Sequence, residues 1–194
     1  MSRAYTPGVD RLTLRVDDSV VLRQIAESDA EVLMALIDLN RSSLREWLPW
    51  VDFTTDIRHV VRFIGRSIAQ AADDNGLTFG IVCDGVLAGV LGQDHVDSLN
   101  RKTELGYWLD PEHRGRGIVT RSTARLTDYA FTDQDCNRVV LHCAVGNVKS
   151  RAVAERLGFV QEGILREAEW LNEHYVDLVV YSMLKSQWEN RNAG

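Results

Sequence analysis

The chain has 194 residues, the size of one domain, and its 45 % hydrophobic and 26 % charged residues suffice for a packed core. Its 22 basic and 28 acidic residues leave a net charge of −6, which argues against broad nucleic-acid binding and is compatible with a substrate carrying an amine. Three cysteines without C-x-x-C spacing suggest neither a disulfide framework nor a zinc site, and no apolar run approaches the roughly 20 residues of a membrane span. With no signal-peptide pattern and no membrane partner implied, a cytoplasmic location is the expectation.

Residues 1–10, with Pro7 and Gly8, read as a loose tail and 187–194 as a second one, leaving one domain over 11–186. Apolar, β-branched runs at 12–16 and 20–25 flank Asp17-Asp18-Ser19 and read as two strands or a hairpin. A helix begins near Ser28, which has capping-box spacing to Glu31, and Val32, Leu33, Leu36, Ile37 and Leu39 form its apolar side. A second helix over 56–72 carries Ile57, Val60, Val61, Ile64 and Ile68 at helical periodicity, with Gly76 as its stop. Strand-like runs at 77–83 and 86–95 are joined by Asp84-Gly85, a strong hairpin signal. A strand at 103–109, a helix at 116–131, a strand at 138–145 and a helix at 147–157 follow. The last has Asn147 as N-cap and Gly158 just past its end. Strands near 161–170 and 175–184 close a single α/β (α+β) domain.

The most informative stretch joins the strand at 103–109 to the helix after it. Gly115 and Gly117 let the main chain bend tightly and approach a ligand. The free amides at the helix start, residues Ile118, Val119 and Thr120, form an anion site with the helix dipole, and Arg114 and Arg116 add forked donors for phosphate oxygens. An ordinary glycine-rich turn is the competing reading. A P-loop is absent. Two features argue against a dinucleotide fingerprint: Thr120 stands where its third glycine should be, and no acidic residue closes a clear second strand about 20 positions on.

Arg114-x-x-Gly117-x-Val119 resembles the pyrophosphate-binding signature of the GNAT acetyltransferases: Gln or Arg, two residues, Gly, one residue, then Gly or Ala. Val119 departs from the last position, a departure familiar in the RimJ/RimL-type branch that acts on ribosomal-protein N-termini. Asn147-Val-Lys-Ser150-Arg-Ala-Val-Ala154-Glu-Arg-Leu-Gly158-Phe159 resembles the family's second motif, and Trp47-Leu-Pro49-Trp50 is similar to a segment of that branch. The likeness spans about 12–184. It implies a mixed, splayed sheet of about seven strands flanked by helices, acetyl-CoA as donor with no metal, and a homodimer.

The resemblance also implies roles. The main chain around Trp108 and Leu109 faces the thioester carbonyl, and Asn147 and Ser150 contact the cofactor arm. Ser150 holds the position whose serine meets the thiol in RimL-type enzymes, and the family's usual tyrosine acid is replaced by Ala154 here. For the base there are two candidates, Glu104 and Glu169. Glu104 shares a strand face with Gly106 and Trp108, where an indole would partly desolvate it. Trp47, Trp50 and Trp108 are expected to wall the amine cleft, with Trp170 nearby, although core packing explains such rings equally well. His142 reads as a packed or half-exposed strand residue, and no histidine has metal-ligand spacing.

The acceptor implied is a primary amine. The first candidate is a protein or peptide N-terminal α-amine, with a pKa of about 7.7–8.0 against about 10.4 for lysine. A small amine or antibiotic, as in detoxification, is the alternative. A non-catalytic acyl-CoA sensor is the third reading, kept open by Ala154.

Overall fold

The computed structural model describes residues 11–192, so the tail expected over 1–10 lies outside the described residues. Eight strands form one sheet: β1 (Thr13–Arg15), β2 (Val20–Gln24), β3 (Thr78–Cys83), β4 (Val86–Asp97), β5 (Lys102–Leu109), β6 (Arg138–Ala144), β7 (Val160–Leu171) and β8 (His174–Leu184). Their spatial order is β1-β2-β3-β4-β5-β6-β8-β7. The count matches the eight strand-like runs read along the chain and exceeds by one the about seven that the resemblance implied; the three-residue β1 pairs with β2 in full register. Asp84 and Gly85 both take positive φ (49° and 84°), the geometry of a two-residue hairpin turn between β3 and β4.

Five helices, α1 (Ala30–Leu44), α2 (Ile57–Ala72), α3 (Ile118–Thr132), α4 (Val148–Arg156) and α5 (Lys185–Asn192), cover both faces. Leu33 and Ile37 of α1 and Val60 and Ile64 of α2 bury themselves with Val90 on one side of the sheet. Ile118, Leu126 and Phe131 of α3, Val153 and Ala154 of α4, and Trp188 of α5 pack with Leu105, Leu141 and Tyr181 on the other.

Three local expectations are corrected. Ser28 does not cap α1. A 3-10 turn precedes the helix, and the buried Asp29 carboxylate accepts the Ala26 amide at 2.8 Å and pairs with Arg23 at 2.7 Å. The apolar side of α1 is also narrower than expected. Leu33, Ile37, Asn40 and Leu44 are buried, whereas Val32 and Leu39 are 53 % and 74 % exposed. Where a tail was expected from 187, the chain forms α5. Trp188 is buried against Phe131, with ring centroids 6.4 Å apart, and its indole N–H bonds Asp128.

The feature that positions the site is a divergence. β5 and β6 are parallel neighbours, and their pairing runs only through Lys102↔Arg138, Thr103↔Val139 and Glu104↔Val140. Beyond it β5 stays paired with β4 to Leu109, and β6 stays paired with β8 to Ala144. The sheet therefore opens between two intact halves.

Candidate active site

The gap between β5 and β6 ends at the turn that leads into α3. Gly115 and Gly117 take φ of +76° and +68°, so the glycines serve the bend as expected. Gly117 is the N-cap of α3 and supplies no side-chain cap. Its carbonyl accepts from Arg121 N–H at 3.1 Å, so the amides of Ile118, Val119 and Thr120 precede the first intrahelical donor. Ile118 is buried and Val119 packs against the core, which leaves their main chain as the part that can face a ligand.

Arg114 is exposed, with Nε 3.3 Å from the Leu109 carbonyl. Arg116 faces Asp84 at 3.6 Å. Arg121, one turn into the helix, bonds the Arg116 carbonyl and Asp17, each at 2.7 Å. With Ser19 and Arg121 donating to it, Asp17 is lowered to about 2. An uncapped helix start, two left-handed glycines and three arginines gather at this turn, an arrangement that could hold phosphate oxygens.

Cross-strand partners point to the same side of a sheet. Glu104 pairs with Val140, His142 with Val180 and Glu169 with Val176, which places Glu104, His142 and Glu169 on one face at the gap. A β-bulge between Leu165 and Glu169, with Glu167 at φ +50°, re-aims the strand so that Glu169 lands there. Glu104 Oε1 lies 2.8 Å from His142 Nδ1. Burial first, then the Glu104 charge, pushes the Glu169 carboxyl above its ordinary range. The hydrogen bond that Glu104 accepts from the ring raises His142.

Trp108 shares this face, and Trp50 meets it with ring centroids 6.4 Å apart. Both also pack on the α1/α2 core, as the core reading has it. Trp47 lines a groove of about 510 Å³ with residues 144–146 and 174–177, among them Val176, the cross-strand partner of Glu169. Trp170 lines another of about 590 Å³ with Pro49 and Phe53.

The opposite face of the gap carries Tyr107, Cys143 and Ser150. Asn147 Oδ1 accepts the Ser150 amide at 3.1 Å, which caps α4 and fixes Ser150 in its first turn. Ser150 Oγ is 3.1 Å from Tyr107 Oη and 3.2 Å from Cys143 Sγ. Burial holds the Tyr107 phenol well above its usual range and raises the Cys143 thiol. Cys83, Cys136 and Cys143 are all free and buried.

A profile of the acetyltransferase (GNAT) domain matches residues 19–160, which includes both halves of this gap and the α3 turn. The chain belongs to the GNAT acetyltransferase family. The GNAT enzyme is 39 % identical over 178 residues to the putative ribosomal N-acetyltransferase YdaF of Bacillus subtilis, covering 91 % of this chain and 97 % of that one. It superposes with a TM-score of 0.88 on RimL, a ribosomal L7/L12 α-N-protein acetyltransferase solved with coenzyme A, at 29 % identity over 91 % and 99 % of the two chains. That coenzyme A is in a disulfide with a RimL cysteine. It is also similar to MccE, a microcin C7 self-immunity acetyltransferase solved with acetyl-CoA and AMP (TM-score 0.83, 34 % identity, 87 % and 94 % coverage).

Three residues of this GNAT site escaped the sequence reading. Tyr107 stood on a recognised strand beside Trp108, with nothing to single it out. Arg121 had only its spacing, four residues after Gly117. His142 was taken for a bland strand residue because its partner, Glu104, lies 38 positions away and meets it only through the β5/β6 register.

Proposed function

We propose that this enzyme transfers the acetyl group of acetyl-CoA directly to a primary amine, with a protein N-terminal α-amine as its acceptor. The observation that carries the reading is the opening of the sheet beyond Glu104 and Val140, directly beside the uncapped start of α3. The fit of the residues to the donor rests on that turn. The Ile118, Val119 and Thr120 amides with Arg114, Arg116 and Arg121 hold the pyrophosphate, and Gly115 has open space around it. When bound there, acetyl-CoA supplies the activated acyl group.

The two faces of the gap divide the proton work. Glu104 and Glu169 attract the acceptor's ammonium, Glu169 with a carboxyl that burial raises above its ordinary range. Across the gap, Ser150 donates towards the departing sulfur, with the Tyr107 hydroxyl 3.1 Å behind it. Main-chain amides near Trp108 and Leu109 stabilise the oxyanion. Trp50 and Trp108 shield the amine from water. The names of YdaF and RimL support an N-terminal acceptor.

A second acceptor class is favoured by one finding. MccE, 34 % identical, is a self-immunity acetyltransferase, so a small toxic amine is the rival substrate. Among the described residues no helix is long and apolar enough to cross a membrane, and a cytoplasmic enzyme fits this reading. Homodimerisation is part of the same reading, supported by exposed Val160, Ile164 and Leu165 along the edge strand β7.

The test is free-thiol release from acetyl-CoA with peptides bearing free N-termini, polyamines and aminoglycosides. Release with the peptides alone is expected. Release only with a small amine moves the MccE-like reading to the front, and acetyl-CoA binding without release from any amine favours the sensor.

A further inference from the structure

Of the three titratable side chains on the acceptor side of the gap, His142 has no part in the reading above. We infer that His142 and Glu104 form a proton-accepting dyad, in which Glu104 holds Nδ1 and Nε2 takes the proton from the acceptor ammonium. The inference rests on the acyl-transfer reading and names the group that makes the amine nucleophilic.

A carboxylate only accepts hydrogen bonds, so the 2.8 Å contact requires the proton on Nδ1 and the lone pair of the neutral ring on Nε2. Among the described residues Glu104 is the ring's one hydrogen-bond partner. Glu104↔Val140 is the last β5/β6 pair, and His142 follows two residues on, on the same face, where the strands have parted. Its side chain is 27 % exposed, open enough to meet a substrate and sheltered enough to keep its carboxylate partner.

The charged groups that act on the ring are Glu104 from β5, Glu169 from β7 and Arg138 from its own strand. The carboxylates favour the imidazolium. Arg138 opposes it, but its guanidinium is taken up by Glu162 at 2.7 Å. In the step, one N–H bond of the ammonium breaks, its electron pair stays on nitrogen, and the proton bonds to Nε2. The imidazolium then returns the proton to water at its exposed edge. Glu104 takes no proton itself. It fixes the tautomer and raises the basicity of the ring.

The alternative is a pair that only fastens β5 to β6 at the foot of the gap. Rate profiles against pH separate the two, measured by thiol release for the wild type, His142→Gln, Glu104→Gln, and His142→Ala with and without added imidazole. The dyad predicts a loss of kcat of about 100-fold in His142→Gln with an unchanged KM for acetyl-CoA. It predicts partial recovery of His142→Ala by imidazole. It also predicts that the acidic limb of the profile moves to lower pH in Glu104→Gln, because the carboxylate that raised the ring is gone. Wild-type kcat in His142→Gln overturns the dyad. So does a loss that imidazole leaves unrepaired while the KM for acetyl-CoA rises, which is the mark of a fastener. A wild type that releases no thiol with any amine removes the acyl-transfer reading and the dyad with it, whereas failure of the dyad alone shows as a His142→Gln enzyme that still turns over.

Discussion

Ser150 carries two jobs that separate cleanly at the level of atoms. Its amide is bonded by Asn147, and its hydroxyl by Tyr107 and Cys143. Replacing it with alanine keeps the cap and removes only the hydroxyl. Ser150→Ala is therefore expected to keep its melting temperature and its affinity for acetyl-CoA while losing about 10–100-fold in kcat, at or below the usual range for one proton-transfer group. Tyr107→Phe is expected to show a smaller loss in the same parameter. Steady-state kinetics on both variants decide it, and unchanged kcat in both would remove the proton-donor role from this face. Ser150 and Asn147 were legible in the sequence because a helix start, a cap and a family motif coincide within four residues. Tyr107 was not, since its hydroxyl meets Ser150 across 43 positions and no local pattern records that contact.

At the scale of elements, two strand contacts hold the open sheet in shape. β4 approaches β5 closely at Gly89, where an added Cβ would lie 2.3 Å from the Trp108 carbonyl oxygen and 2.9 Å from the Leu109 Cα. Both are main-chain atoms of the strand end that borders the gap, so neither can swing aside. Gly89→Ala is expected to cost about 1–3 kcal/mol and to raise the KM for acetyl-CoA, measured by denaturant unfolding and kinetics. A variant with normal stability would mean that β4 and β5 separate freely there. On the other half, Glu162 of β7 accepts from Ser182 of β8 and Arg138 of β6, each at 2.7 Å. These bonds lower Glu162 from 4.5 to about 2. A depressed carboxylate contributes stability that is complete above its unfolded value and is lost as pH falls through its folded one. The melting temperature of Glu162→Gln is thus expected to fall less than that of the wild type between pH 4.5 and about 2. Parallel curves would contradict the role. The strands themselves were legible from their apolar runs and the Asp84-Gly85 turn. The opening was not, because a sequence shows where strands lie and not where their pairing stops. The face of α1 was misjudged for a related reason: Val32 and Leu39 fit an apolar stripe, but the seam against α2 and β4 admits only one row.

For the whole molecule, the C-terminal helix closes the core that backs the gap. Lys185–Asn192 has one large apolar residue, too few for any periodic signal, which is why it read as a tail. Tertiary packing supplies what local pattern lacks. Trp188 fills the space beside Phe131, and Arg191 donates to the Leu157 carbonyl at the end of α4 at 2.6 Å. Trp188→Ala is expected to cost about 3–5 kcal/mol, a fall in Tm on the order of 10 °C for a chain of this size. Thermal unfolding tests it, and a Tm within a degree or two of the wild type would leave α5 peripheral. The proposed chemistry rests on one arrangement: two half-sheets joined at the foot of β5 and β6, the glycine and arginine turn at one end of the opening, and the proposed proton acceptor and donor on opposite faces. The most direct test of that arrangement is mass spectrometry of a peptide carrying both a free N-terminus and a lysine, after incubation with the enzyme and acetyl-CoA. A single acetyl group on the α-nitrogen is predicted. Acetyl on the lysine alone, or a peptide left unmodified while a small amine is consumed, would contradict the account.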